Sequence, residues 1–373
     1  MGGHTSHHAA GLRVPAGALT AFTAGVLRGC GVPAAHAELT AQRMVEADIQ
    51  GKPGHGVFRL PAYVRRIRAG GYRLDPRVRL VHETPVSALV DGDNALGQVV
   101  MTFAAEVALR KAAAAGLAWV GVRNSNHAGA GGVYAAMALE QEMIGIYLAI
   151  GNANHLPPWG GADPLLSTNP VAVALPARRQ PALLLDMATT VVSYGRVKLA
   201  AQRGEPLEPG WMAGRDGRPL LDSARYQEGF LLPIGGYKGY GLNLVIGALA
   251  GVLNGAAVGS ATVDFNADDR TPTNTGHTII VARPDLIRPL DEYYADMDRW
   301  LEELRSSRRQ RATTPIRTPG DQMGERRAEA SAAGVPVEAA TADALAELAD
   351  GLGLPHPFTR DAPEATAPER RNM

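Results

Sequence analysis

Between Val99 and Ile150 the chain changes its hydrophobic period three times. The run "VVMTFAAEVALRKAAAA" (99–115) has helical spacing and closes on Gly116, a helix-stop residue. "LAWVGV" follows as a short, continuous apolar run of the kind a buried strand shows. A polar, Gly-rich loop, "RNSNHAGAGG", leads into a second helix-like stretch, "VYAAMALEQEM", and "IGIYLAI" is a further apolar strand. Alternation of this type commits the middle of the chain to an α/β fold. The same alternation continues downstream. "NPVAVALPA" and "PALLLDMA" read as two strands joined by the turn "ARRQP", and "VVSYGRVKLAAQRG" reads as a helix. After a turn-rich stretch to Leu232, "GYGLNLVIGALAGVLNGAAVG" is a long apolar, Gly-rich helix candidate suited to close packing. "TGHTIIVAR" is strand-like, and "LDEYYADMDRWLEELRSS" is strongly amphipathic.

The ends are more helical. In "PAAHAELTAQRMVEAD", Pro33 suits a first helical turn, and Ala37, Ala41, Met44 and Val45 share one face. Beyond Arg305 the chain is basic and Pro-rich linker with one helix-like run, "TADALAELADGLG". A length of 373 residues favours two domains. We expect 12–80 with 285–356 to form a terminal helical or mixed domain. Residues 81–284 then form the cofactor-binding and catalytic domain, with 1–11 and 357–373 as unstructured tails.

Balanced charge, 37 basic against 37 acidic residues, offers no global attraction for nucleic acid or an anionic membrane. A single cysteine, Cys30, excludes an intrachain disulfide and suggests a reducing, cytoplasmic setting, with Cys30 an inert buried thiol. No apolar run is long enough for a membrane span. Ala35-His36-Ala37 mimics a signal cleavage site, but Arg28 interrupts the apolar stretch before it and no basic start precedes it. The histidines at 4, 7 and 8 fit no defined metal site, and no metal is expected.

No Rossmann fingerprint is present: "GAGGVY" (129–134) lacks the third glycine. "GGYKGYG" has a lysine but not the phosphate-loop spacing. Any nucleotide site must therefore come from another fold. Four polar loops interrupt the apolar segments. The first holds His55, able to exchange a proton near neutral pH, and Arg59, able to clamp a carboxylate bidentately. The second holds His127 behind Asn124, Ser125 and Asn126. The third ends a strand on Asp186, placed to orient a histidine or simply to cap the next segment. In the fourth, Lys238 stands among glycines that open a helix, suited to a phosphate or to a solvated surface. Taken alone, His55 reads as readily as a turn histidine, and the arginines at 65, 66 and 68 read as an exposed helix face.

Together these loops resemble the malate/L-lactate dehydrogenase family, the non-Rossmann group also called L-sulfolactate dehydrogenase-like. The carriers run from Val14 to Leu354 in the family's order: "HGVFRLPAYV", "DGDNALGQVV", "VRNSNHAGAGGVYA", "PLLSTNPVAVALP", "LLDMATTVVSYGRVKLAAQRGEPLEPGW", "LLPIGGYKGYGLNL" and "TPGD". The resemblance implies a mostly antiparallel sheet surrounded by helices, with a smaller domain from both termini. It also implies a homodimer and NAD- or NADP-dependent interconversion of a 2-oxo acid and a 2-hydroxy acid. Some members reduce cyclic imino acids instead, and others oxidise ureidoglycolate. His55 matches the family's proton-transfer histidine, Arg59 its carboxylate-binding arginine, and His127 a second active-site histidine. Asp186 matches the aspartate of "DMA", here expected to orient His55. Asp186, Met187, Ala188, Lys238, Gly239, Pro319, Gly320 and Asp321 match cofactor contacts.

This chain departs from the family at "GKPGHG", where the usual reading is "GHDSHG". Lys52, Pro53 and Gly54 stand for His, Asp and Ser, and Ala128 replaces a frequent aromatic. Gly54 cannot supply the serine's hydrogen bond, a loss of about 0.5–1.5 kcal/mol for an unaltered substrate. We therefore expect a substrate other than simple malate or lactate, bulkier or more anionic, with Lys52 and Gly54 in its pocket. The alternatives are an imino-acid reductase and a catalytically dead cofactor-binding protein. Retention of His55, Arg59, His127, Asp186 and Lys238 argues against the second.

Overall fold

The computed structural model describes residues 12–358. In chain order, β1 (Leu12–Val14) precedes α1 (Ala16–Gly29), α2 (Ala34–Ile49) and α3 (Leu60–Arg68). Then come β2 (Arg79–Glu83), β3 (Ser87–Asp91), α4 (Gly97–Ala115), β4 (Leu117–Ser125), α5 (Gly131–Ala135) and β5 (Ile144–Ala149). The short β6 (Asn154–Leu156) and β7 (Leu166–Ser167) lead to β8 (Val171–Leu175), β9 (Leu183–Met187) and α6 (Tyr194–Arg203). Next are β10 (Met212–Gly214), β11 (Gly229–Leu231), α7 (Tyr237–Ala250), β12 (Thr275–Ala282) and α8 (Leu290–Ser306). The chain closes with α9 (Asp321–Ala333), β13 (Val335–Val337) and α10 (Ala339–Asp350).

Seven strands form the central sheet in the order β2-β3-β4-β12-β5-β8-β9. The β3–β4 pair is parallel and the others are antiparallel, so the sheet is mostly antiparallel, as expected. Its main core joins strand residues such as Val90, Val120, Tyr147 and Ile279 to Val100, Met101, Ala104 and Ala108 of α4 and to Tyr134 of α5. On α7, Ile246 and Ala250 close a smaller cluster with Leu148 and Ile150. Gly116 ends α4 in the left-handed region (φ 86°), which a glycine adopts without a Cβ penalty.

Both termini meet in a second core. β1 pairs antiparallel with β13, Leu12 opposite Val337. Leu19, Leu27, Met44 and Tyr63 pack there with Val335, Leu345 and Ala349. Phe358 is also buried there, edge-on to Phe22 at 5.0 Å, so the ordered chain runs past the expected boundary at 356. The remaining tail residues and the histidines at 4, 7 and 8 lie outside the described residues.

Several sequence expectations change. Helix α8, assigned above to the terminal unit, is bonded to the central sheet. Its buried Asp298 accepts the amides of Arg178, Arg179 and Gln180 in the β8–β9 turn at 3.0–3.1 Å. The linker beyond 305 contains α9 and β13. The second helix-like stretch is a short α5 followed by a 3-10 segment, Ala136–Gln141. The long apolar helix breaks at Gly251, where a Cβ would crowd the Gly247 carbonyl. It also leaves Val245, Val252 and Leu253 exposed rather than packed. Arg66 is not on an exposed face: it is fully buried, donates to the carbonyls of Asp268 and Thr271, and lies over the ring of Phe265. Cys30 is half-buried, with its thiol pKa raised by burial.

Candidate active site

Helix α2 ends at Ile49, and two single 3-10 turns, Pro53–His55 and Val57–Arg59, connect it to α3. Asp48 holds this connection: its buried carboxylate accepts the Val57 amide at 2.9 Å. A Cβ on Gly56 would collide with that carboxylate, which is why a glycine must follow His55. Burial pushes Asp48 up to about 7, against the opposing pull of the Val57 bond. Arg59 Nε donates to the Gly54 carbonyl at 2.9 Å and Nη1 to Asn266 Oδ1 at 3.3 Å. His55 and Arg59 therefore share one short, internally bonded loop.

His127 follows the end of β4, and its ring stacks on that of His55 at 5.5 Å with 20° between the planes. The Gln98 amide on α4 donates to Tyr63 Oη at 2.8 Å. The Tyr63 hydroxyl in turn stands 2.6 Å from His127 Nδ1. Bonded at once to Gln98 and to Nδ1, the phenol also stands 3.5 Å from the His127 carbonyl, and this chain holds the orientation of the His127 ring. Phe265 packs against both Tyr63 (5.8 Å) and His127 (5.6 Å). Burial, then the charges of Arg59 and Lys52, lowers His55 to about 3. Burial and Arg59 hold His127 well below the usual range. Both imidazoles are thus neutral at physiological pH, and His55 Nδ1 is buried with no hydrogen-bond partner among the described residues.

Asp186 stands near the end of β9, where the sequence placed it, but it does not orient His55. No hydrogen bond joins it to His55. Its partner is Lys52, whose Nζ donates to the Asp186 carbonyl at 2.8 Å and lies 3.7 Å from the carboxylate. A cation there is engaged by β9 and not simply open to a substrate anion. On the other side, a Cβ on Gly132 would press on the Asp186 carboxylate (3.1 Å) and on Gln50 Oε1 (3.3 Å). That Gln50 oxygen is buried and unpartnered.

The remaining candidate segments also converge on β9. The Leu184 amide donates to the Pro319 carbonyl at 2.9 Å. Gly320 (φ 109°) lies so close that a Cβ would stand 3.0 Å from the Leu184 nitrogen. Asp321 is committed elsewhere: its carboxylate takes Arg305 at 2.7 Å and the Thr318 amide at 2.8 Å, so it serves the start of α9 rather than a free ligand contact. Met187 and Ala188 are half-buried. The next residue, Thr189, accepts the Ile234 amide at 3.0 Å and the Asn243 side chain of α7 at 2.8 Å. Lys238 is exposed in the first turn of α7, without a partner among the described residues, and Gly239 is packed against the Ile234 carbonyl. Gly54 is exposed, with nothing within 4 Å of where a Cβ would stand. Ala128 is buried.

Sequence reasoning missed Tyr63, Gln98, Phe265 and Asn266. One signal was available: Tyr63 stands four residues after Arg59, one helical turn along "RLPAY". The other three reach the site only through tertiary packing.

Comparison with known proteins agrees with this architecture. Residues 14–346 match the family model described as malate/L-lactate dehydrogenase. The chain is 36% identical over 352 residues to a malate dehydrogenase of Pyrococcus horikoshii, covering 92% of this chain and 96% of that protein. It is 34% identical over 329 residues to an L-sulfolactate dehydrogenase of Methanocaldococcus jannaschii, covering 88% and 94%. The solved P. horikoshii malate dehydrogenase superposes with a TM-score of 0.85 over 95% of this chain and 99% of that one. A Δ1-piperideine-2-carboxylate reductase from Pseudomonas syringae superposes at 0.81 with 25% identity, covering 90% and 99%.

Proposed function

The chain belongs to the malate/L-lactate dehydrogenase family, and on that premise we propose an NAD(P)-dependent oxidoreductase that interconverts a 2-hydroxy acid and a 2-oxo acid. The observation that carries this reading is the stacked His55–His127 pair with Arg59 on the same loop as His55.

The residues suit a nicotinamide dinucleotide. Gln50 Oε1 is an orphaned buried acceptor beside Asp186, and close backbone approaches at Gly132 and Gly320 leave β9 flanked without side chains. Lys238 is an unpaired cation at a helix start, suited to a phosphate. Met187, Ala188, Gly239 and Pro319 complete the surface around β9. A nicotinamide held there would supply the hydride chemistry at the substrate's C2.

The chain's own residues do the rest. Arg59 holds the substrate carboxylate and fixes C2 relative to the two rings. His55, neutral and with a free Nδ1, is a base for the C2 hydroxyl proton in the oxidative direction. His127, its ring held by the Gln98–Tyr63 chain, hydrogen-bonds the same oxygen. Burial is the main reason both imidazoles stay neutral, and substrate carboxylate on Arg59 offsets the second cause, the Arg59 charge, so proton affinity at His55 rises in the complex. The exposed apolar residues Val245, Val252 and Leu253 support a homodimer closed over α7 and the segment after it.

Steady-state absorbance of NADH and NADPH across 2-oxo acids, with cyclic imino acids as the second panel, tests the reading. Turnover of oxo acids and loss of activity in His55→Ala with intact cofactor affinity are expected. No turnover in either panel, despite cofactor binding, would overturn it.

A further inference from the structure

Beside the catalytic loop lies a cavity of about 170 Å³ whose polar groups the reaction does not use. Its walls come from four separate segments. His155 follows the first residue of β6, Tyr194 opens α6, Arg215 and Gln227 lie between β10 and β11, and Asp264 precedes Phe265. The Asp264–Asn266 turn is also a wall of the active site. Phe265 packs on His127, and Asn266 Oδ1 accepts from Arg59 while its amide nitrogen donates to Asp264 Oδ1 at 3.2 Å. One amide side chain thus separates the carboxylate clamp from this cavity.

The lining mixes one half-buried ring, His155, with three side chains exposed at the cavity mouth, Arg215, Gln227 and Asp264. His155 lies flat on Tyr194, ring centroids 3.8 Å apart at 14°, which fixes its plane, yet neither ring nitrogen has a hydrogen-bond partner among the described residues. Burial lowers His155 to about 4, so it presents one donor and one acceptor. Arg215 has neither an ion pair nor a hydrogen bond among the described residues, and it does not pair with Asp264 across the cavity. Gln227 uses its amide nitrogen on Tyr226 Oη, leaving its oxygen free. A cation, an anion and neutral donor–acceptor groups facing one small space suit a group that both donates and accepts. A purely anionic or apolar group would meet only part of this set.

Resting on the oxidoreductase reading above, we propose that this cavity is a specificity subsite for the distal end of the substrate, and that it selects a dipolar, carboxamide-like group.

The test uses four L-2-hydroxy acids: lactate, malate, 2-hydroxysuccinamate and 2-hydroxy-4-methylpentanoate, of which the last three are near-isosteric. With either oxidised cofactor, the expected KM for 2-hydroxysuccinamate is at least tenfold below that for malate and for the alkyl acid. Arg215→Ala and His155→Phe, the second keeping the aromatic stack, should erase that preference and leave kcat/KM for lactate within twofold. Equal KM values in the wild type, a best KM for malate, or a preference that survives both variants would overturn the subsite. Calorimetric titration of the same acids separates the two readings. If no acid is turned over but the amide still binds tenfold tighter than its isosteres and Arg215→Ala abolishes this, the reaction assignment fails while the subsite stands. Equal binding in that case rejects the subsite as well.

Discussion

Lys52 Nζ and Asp186 are joined across 134 residues of sequence: the ammonium donates to the Asp186 carbonyl at 2.8 Å and stands 3.7 Å from its carboxylate. This contact ties the His55 turn to β9, and the Lys52 charge also disfavours protonation of His55. Lys52→Met should lower kcat/KM about tenfold by loosening the turn. It should also move the acid limb of the pH profile upward, because a positive neighbour is gone. Lys52→Arg should keep the limb near the wild-type position. A limb that stays put in Lys52→Met would remove Lys52 from the electrostatics of His55.

The neutral state of His55 makes a second prediction. In the free enzyme its pKa is lowered to about 3, so kcat/KM for hydroxy-acid oxidation should stay level as pH falls to about 4, as far as His55 is concerned. The limb in kcat should lie higher, since bound carboxylate screens Arg59. The measurement belongs in an Asp48→Asn background, which removes the carboxyl that titrates near 7. An inflexion near 6.5 in kcat/KM would mean that His55 is solvated.

Tyr63→Phe removes the link between Gln98 and His127. The His127 ring then loses its Nδ1 partner, and Gln98 Nε2 is left buried without an acceptor. A loss of about 1–3 kcal/mol of stability is expected by urea denaturation, together with roughly a tenfold fall in kcat. A variant of unchanged kcat would show that this chain does not matter to the reaction.

Asp48 carries a pH dependence of stability. Its folded pKa of about 7 lies above the ordinary carboxylate value, so the native state holds more protons than the unfolded chain between roughly pH 4 and 7. Stability from this group therefore falls as pH rises through that window, by about 4 kcal/mol at most. Asp48→Asn keeps an acceptor for the Val57 amide and should flatten the slope, read from urea midpoints at pH 5 and pH 8. An unaltered slope would place the titrating group elsewhere.

Gly54→Ser restores the hydroxyl usual in the family, at a position where a Cβ meets nothing. Stability should change by less than about 0.5 kcal/mol. The ratio of kcat/KM for lactate to that for larger substrates should rise. A variant with the wild-type ratio would show that Gly54 does not shape the pocket.

The site was legible in the sequence where one loop carries its own chemistry. His55 and Arg59 are four residues apart, and their loop is closed by local bonds that Arg59 donates to the Gly54 carbonyl and Val57 to the Asp48 carboxylate. Asp186 was found, but its partner was misjudged. A carboxylate at a strand end does not say whether a histidine or a lysine from a distant turn will reach it. Arg66 looked exposed because its neighbours Arg65 and Arg68 are charged, and only the fold brings Asp268, Thr271 and Phe265 around it. The β4, β5, β8, β9 and β12 runs were visible because their interiors are continuously apolar. β2 escaped notice because it is a mostly exposed edge strand, and β13 because it has only three residues.

The three-residue ladder between β1 and β13 sets an order of events. Leu12 and Val337 can meet only after some 325 intervening residues have been made, and closing a loop of that length is entropically slow to reward. The α1–α2 layer that ends in the His55 turn shares its core with Val335, Leu345 and Ala349. During synthesis this apolar layer must therefore wait uncovered while the central sheet is completed. The His55 turn is translated well before the C-terminal segments that support it and is among the last to gain its full support.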